Sequence, residues 1–318
     1  MSLESDTLPL TAAMRIDARS MSSPDRCNTL PVLPKREDLT LAPNTTPTSI
    51  TPTLAFAGSA AATALWFAAL VAVPELQRSD LSIIVARIAV HLIVLGGTWA
   101  ALSRTSFITS ERTWAWLAIA VPLTLWHGAA WFIVAHGLLL PGAVSIPLLP
   151  LMIVVPTAIV ITLLSRSDRI GVLLDVMPVN WLIGLQAYRV IGGVFLANWL
   201  AGTTPGVFAL PAGTGDVITG LMALPTAAVL ASGRPGSTRA ALFWNLFGIA
   251  DLVVAVTMGA LTTPGPLQQL ALDHPNLTTG TYPTAIIPAF TVPTSLVLHA
   301  LSLRQLLRRT RGAATIAV

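Results

Sequence analysis

"PAGTGDVITG", residues 211–220, has two readings that lead to different folds. Gly213, Gly215 and Gly220 around Asp216 give it the outline of a phosphate-binding loop from a soluble protein. The apolar residues around it make it part of a membrane helix instead. The first reading fails on its chemistry. No Gly-Lys-Ser/Thr follows to hold a phosphate, and the third glycine of a dinucleotide fingerprint is missing from its place, as is a soluble strand before it. Asp216 is therefore read as an acid in a membrane segment, which marks a candidate functional residue.

Composition favours the membrane reading. Of 318 residues, 54% are hydrophobic and only 10% charged, against about 25% charged in soluble domains. The sequence pI is about 10.2, but Lys35 is the only lysine and the arginines are scattered. They form no nucleic-acid patch, and no nucleic-acid partner is expected; the bilayer is the expected environment. Cys27, the single cysteine, excludes a disulfide framework and any cysteine metal motif.

Three regions follow. Residues 1–50 hold much of the charge, including Arg15, Asp17, Arg36 and Glu37, are rich in Ser, Thr and Pro, and have no apolar period. They are expected to be a disordered cytoplasmic tail, and contain no signal-peptide pattern. Residues 51–310 are expected to form an all-α, polytopic transmembrane helical bundle, with 311–318 as a short cytoplasmic tail. Windows of about 20 apolar residues predict about eight spans: 53–73, 82–103, 114–136, 144–164, 178–200, 214–232, 240–261 and 284–307. Arg104 and Arg112, Arg166 and Arg169, Arg234 and Arg239, and Arg304, Arg308, Arg309 and Arg311 fall in alternate loops or after the last span, while Arg78 in the loop after the first span is offset by Glu75 and Asp80. The positive-inside rule then puts both termini in the cytoplasm. Trp99, Trp114, Trp116, Trp181 and Trp244 are expected near inner ends, and Trp66 and Trp199 near outer ends. "DRIGVLLDV", 168–176, reads as a short amphipathic helix along the inner interface that turns into the fifth span. "VPTAIVITLLS" (155–165) and "VPTSLVLHALS" (292–302) share six positions, which fits either a four-plus-four duplication or chance similarity between apolar helices.

Helix rise gives the depth of each polar residue. With the sixth span starting near Thr214, Asp216 lies about 3 Å below the outer edge. There it would be a first-turn acid at the favourable end of the helix dipole, with Thr214 as the N-cap. Asp251 and Arg189 lie deeper, at about 15 and about 16 Å. They are candidates for a buried ion pair, read either as an interhelix clamp or as a functional pair. Gln186, three residues before Arg189, would satisfy spare guanidinium donors. His91 and His127 lie at about 13 Å, and read either as a haem, metal or proton-relay pair or as two hydrogen-bonded core residues. Arg87 would snorkel outward or pair with Asp216. His299, at about 22 Å, lies nearer the cytoplasm. No carboxylate or cysteine completes a metal spacing, so no metal and no cofactor is predicted. Pro147, Pro150, Pro156, Pro288 and Pro293 interrupt the fourth and eighth spans.

"LQAYRVIGGVFL" (185–196), "LPAGTGDVITGLMALP" (210–225), "WNLFGIADLVV" (244–254) and "YPTAIIPAFTVPTSLVLHALSLRQL" (282–306) together resemble a family of uncharacterised bacterial multi-pass membrane proteins. The resemblance implies a bacterial inner-membrane location and brings no activity with it. The leading expectation is a small outward-facing polar cavity lined by Arg189, Asp251, His91 and His127, with Asp216 at its mouth. Such a cavity would bind or translocate a small polar solute, an anion or a proton. The alternatives are a membrane-embedded enzyme using the same groups, and a structural or accessory subunit whose charges fix packing.

Overall fold

Thr51 starts the first helix. Its side chain accepts from the Leu54 amide at 3.3 Å, and Pro52 occupies the first helical position, where its missing N–H costs nothing. The computed structural model describes residues 51–73 and 80–316, with helices and no strand among them. The N-terminal segment 1–50 and the first-loop charges Glu75 and Arg78 lie outside the described residues.

The helices are α1 (Pro52–Ala72), α2 (Asp80–Leu102), α3 (Thr109–Ala135), α4 (Leu148–Arg166), α5 (Asp168–Val176), α6 (Trp181–Gly184), a 3₁₀ helix (Leu185–Gly192), α7 (Gly193–Leu200), α8 (Gly206–Ala231), α9 (Ser237–Thr262), a π-helix (Ile287–Thr291) and α10 (Val292–Ile316). Five of them, α1, α3, α4, α8 and α9, are long and apolar enough to cross a membrane. A sixth is added if α5 and the segment Trp181–Leu200, bent by 94°, count as one. The short amphipathic helix expected at 168–176 is present, with Ser167 as its N-cap.

The outside of the bundle is more apolar than a soluble protein tolerates. Leu65, Leu125, Phe132, Val154, Ile159 and Leu163 are all more than half exposed. A bilayer removes the cost of such a surface, whereas in water it would drive association. The polar groups are inside instead: Gln186, Arg189, Asn245, His299, Ser302 and Gln305 are all buried. α8 is the central helix, packing against α1, the 3₁₀ helix, α7 and α9.

The basic loops meet at one end, here the arginine end. Arg104 lies 4.8 Å over the Trp181 ring. Arg304 donates to the carbonyls of Leu164 and Ser167, and Arg309 to that of Met177. Gln305 donates to Leu174 and Met177 at 2.6 and 2.8 Å. α10 thus supplies donors to the open carbonyls ending α4 and α5, where cations also suit the helix dipole. Arg308 binds Asp175 through two bonds, of 3.0 and 2.6 Å, but both side chains are about one-third exposed. Asp175→Ala is therefore expected to cost under about 1 kcal/mol, leaving the melting midpoint in detergent nearly unchanged. The opposite, cap end is built from residues 138–147 and 263–280, tied to the bundle by Thr204 to Thr278 at 2.7 Å and by the Asn276 amide donating to the Thr262 carbonyl at 2.9 Å.

Two expectations need correction. The sixth span does not start at Thr214: α8 begins at Gly206 with Pro205 as its N-cap, and Pro211 lies inside it. A proline there costs one backbone bond and a clash with the preceding turn, yet the helix continues because packing on both sides holds it. Asp216 is consequently not a first-turn acid; it lies ten residues in, about 15 Å from the helix start. Nor is Trp244 interfacial. It is buried, donates to the Thr219 carbonyl at 3.0 Å, and packs on His299 with ring centroids 5.0 Å apart. The two similar segments, in α4 and α10, pack against each other. Pro288 falls in the π-helix that leads into α10, where a wider turn accommodates its missing donor.

Candidate functional site

Arg189 is carried on the 3₁₀ helix, where residues three apart fall in line, so Gln186, Arg189 and Gly192 share one face. A break in regular helix within a membrane is tolerated where neighbours satisfy the freed backbone. Here the break lets the guanidinium point between α8, α9 and α10. Its Nε donates to Asp216 Oδ1 at 2.8 Å, and one terminal nitrogen lies 2.7 Å from the same oxygen and bonds Asp251 Oδ2. The other terminal nitrogen donates at 3.2 Å to the Gly248 carbonyl and at 3.2 Å to His299 Nε2. A guanidinium has five N–H donors and no acceptor; four of them make hydrogen bonds here, and the 2.7 Å approach to Asp216 is an ion-pair contact.

The rest of the network follows from donor logic. Because arginine only donates, His299 Nε2 accepts, and its proton is on Nδ1, which donates to Asn245 Oδ1 at 3.0 Å. That orientation of Asn245 is the one that lets its Nδ2 donate to the Ala241 carbonyl at 2.8 Å and to Ser302 at 3.1 Å. His299 is therefore a neutral acceptor holding the guanidinium from below. Tyr188, one residue before Arg189, bonds Ser295 at 2.9 Å.

Glycines make this approach possible. A Cβ on Gly215 would lie 1.6 Å from Asp251 Oδ1, and one on Gly192 2.4 Å from Asp216. One on Gly248 would meet the His299 ring at 2.5 Å, and one on Gly220 the Val190 backbone nitrogen at 2.4 Å. Gly213, Gly215 and Gly220, which gave the opening stretch its loop-like look, are packing glycines of a membrane-type helix interface.

Two cavities border the cluster. One, of about 140 Å³, lies between α4, α7, α8, α9 and the cap segments; its wall includes Phe195, Phe208, Leu252, Val256 and Asp216. The other, of about 20 Å³, has room for one water and is lined by Arg87, Tyr188, Arg189, Asp216 and Ser295 among others. Asp216 borders both. Its side chain is 12% exposed, against 5% for Asp251 and 1% for Arg189, so Asp216 is the member of the cluster a solute would reach.

The expected residues thus divide into two groups. Arg189, Asp216, Asp251 and His299 meet. His91 and His127 form a second group: their ring centroids are 4.6 Å apart, both pack on Phe290, and His91 Nε2 lies 3.1 Å from Thr124 Oγ1. Neither bonds Arg189 or an aspartate among the described residues. Arg87 is buried rather than snorkelling, and lies against the small cavity. Gln186 is buried but does not bond Arg189, and its amide has no hydrogen-bond partner among the described residues. No group of three or more potential metal ligands occurs among the described residues. Sequence reasoning missed Asn245, Ser295 and Ser302. Their signal was a polar stripe: Ser295, His299, Ser302 and Gln305 follow at spacings of four, three and three on one helix face, and all are buried.

Residues 146–307, half of the 318-residue chain, match the family described as Domain of unknown function (DUF8737). The chain belongs to that family. The DUF8737 segment contains the whole Arg189 cluster, the wall of the larger cavity from residue 146 onward, and the segment that resembled an uncharacterised family. It leaves out Arg87, His91 and His127. No curated protein and no solved structure matches the chain.

Proposed function

We propose that this DUF8737 protein is an eight-span protein of a bacterial inner membrane, with both termini cytoplasmic. In this reading it binds and translocates a proton or a small polar solute through a cavity open at the outer end. The orientation is supported by the meeting of the basic loops at one end, the side that positive-inside bias assigns to the cytoplasm. The observation that carries the functional reading is the pair of carboxylates gathered on one buried guanidinium. Four of the five Arg189 donors are already hydrogen-bonded, and the two aspartates oppose an incoming anion. Within the hydrogen-bonded group, two ionised carboxylates around one guanidinium leave one negative charge in excess, which a proton, a monovalent cation or the buried Arg87 side chain bordering the same small cavity would balance. Of the three expected cargoes, an anion is thus the least supported and a proton the best. The enzyme alternative gains no nucleophile from the geometry.

The test is proton flux in liposomes containing the purified protein, read with an entrapped pH-sensitive dye. Wild type is expected to dissipate an imposed pH gradient, and Asp251→Asn to lose that flux while remaining monodisperse. Equal flux with and without Asp251 would refute the reading and favour a structural clamp. The topology has its own check in Cys27, the single cysteine: a membrane-impermeant maleimide is expected to label it only after cells are lysed.

A further inference from the structure

We propose that the larger cavity binds a small apolar ammonium ion, with the ammonium on Asp216. The proposal rests on the excess-charge reading above and names the ligand class for the same site. Among the described residues no lysine, arginine or histidine lines this cavity, and the only charged lining residue is Asp216. Nearly all of the remaining wall is apolar, including Phe195, Phe208, Leu252, Val256 and Ile287. An anion meets only like charge there, and a sugar or other polyol has too few partners for its hydroxyls, each of which costs free energy when buried unbonded. An apolar body with one cationic donor matches both the wall and the acid. The volume of about 140 Å³ sets the size, since a cavity of about 150 Å³ lined by aliphatic and aromatic side chains holds a benzene ring.

Asp216 has the free acceptor such a ligand needs. Its Oδ1 takes both contacts from Arg189, and its Oδ2 takes no hydrogen bond among the described residues. Ammonium and proton would balance the same excess charge, so binding of one displaces the other. Ligand occupancy is thereby coupled to proton release without a separate site.

The experiment is calorimetric titration of the full-length protein in detergent with benzylammonium, benzyl alcohol and benzoate. The three probes share an aromatic body and differ in charge, so partition into micelles is controlled by the alcohol. Benzylammonium is expected to bind at least tenfold more tightly than benzyl alcohol and to release a proton, with benzoate not binding. Asp216→Asn is expected to erase that preference. Should that variant fail to fold, Ala260→Phe, which fills the cavity away from the cluster, is expected to abolish benzylammonium binding while the melting midpoint is retained. Equal binding of the alcohol, or a preference that survives Asp216→Asn, overturns the proposal. Failure of all three probes with proton flux intact overturns the ligand class alone. Failure of both overturns the reading on which it rests.

Discussion

Replacing Arg189 with methionine is expected to destabilise the protein by about 3–5 kcal/mol, the usual cost of removing one partner from a buried ion pair. The loss leaves Asp216 and Asp251 facing each other without a cation, and strips the Gly248 carbonyl and His299 of their donor. The expected result is a lowered melting midpoint or aggregation on extraction in mild detergent. Arg189→Lys should recover little of this, because an ammonium offers three donors from a point and cannot span acceptors on α8, α9 and α10 together. The triple variant Arg189→Met, Asp216→Asn and Asp251→Leu removes all three charges and is expected to be more stable than Arg189→Met alone, since apolar replacement of a complete buried ion group is often neutral. That variant should also carry no proton flux. Stability regained without function would separate the cluster's role in packing from its role in chemistry.

Gly220→Ala is expected to be the most damaging conservative change in α8. Its Cβ would lie 2.4 Å from the Val190 nitrogen and 2.9 Å from the Arg189 carbonyl carbon. Both are backbone atoms, so α8 and the 3₁₀ helix must separate, at a cost of about 3 kcal/mol or more. Gly215→Ala meets a side chain instead: its Cβ would lie 1.6 Å from Asp251 Oδ1. The carboxylate can turn away, but only by leaving Arg189, so proton flux should fall further than stability does. Gly58, Gly96 and Gly128, with nothing within 4 Å of a built Cβ, are the controls. Alanine there is expected to be neutral or to stabilise by up to about 1 kcal/mol through helix propensity. Melting midpoints of all five variants in one detergent check the set. Comparable losses at Gly96 and Gly220 would contradict the packing account.

Much of the fold was legible because the membrane enforces simple rules. Runs of apolar residues had to be helices, and the spacing of arginines predicted which loops would share an end. The bend after "DRIGVLLDV" was legible from its amphipathic pattern. The start of α8 was not, because Pro211 and three glycines are stop signals in soluble helices but interface residues in membrane ones. That error moved Asp216 about 12 Å outward by helix rise. The site was half legible: buried charges at similar depth pointed to Arg189 and Asp251, since each is costly alone. Which helix faces met was hidden, because spans that are apolar nearly all round give no moment to orient them. Thus His91 and His127, at a similar depth, were grouped with Arg189, while His299 was placed apart. The polar stripe Ser295, His299, Ser302 and Gln305 was the available cue to the correct face.

The most direct test of the account is infrared difference spectroscopy of the purified protein between acidic and alkaline pH. A protonated carboxyl absorbs apart from a carboxylate, and asparagine substitution identifies its owner. The account predicts a titrating carboxyl band that is lost in the Asp216→Asn, Asp251→Asn double variant and shifted in each single variant. A difference spectrum without such a band, or one unchanged in the double variant, would contradict the claim that the Arg189 cluster carries a proton.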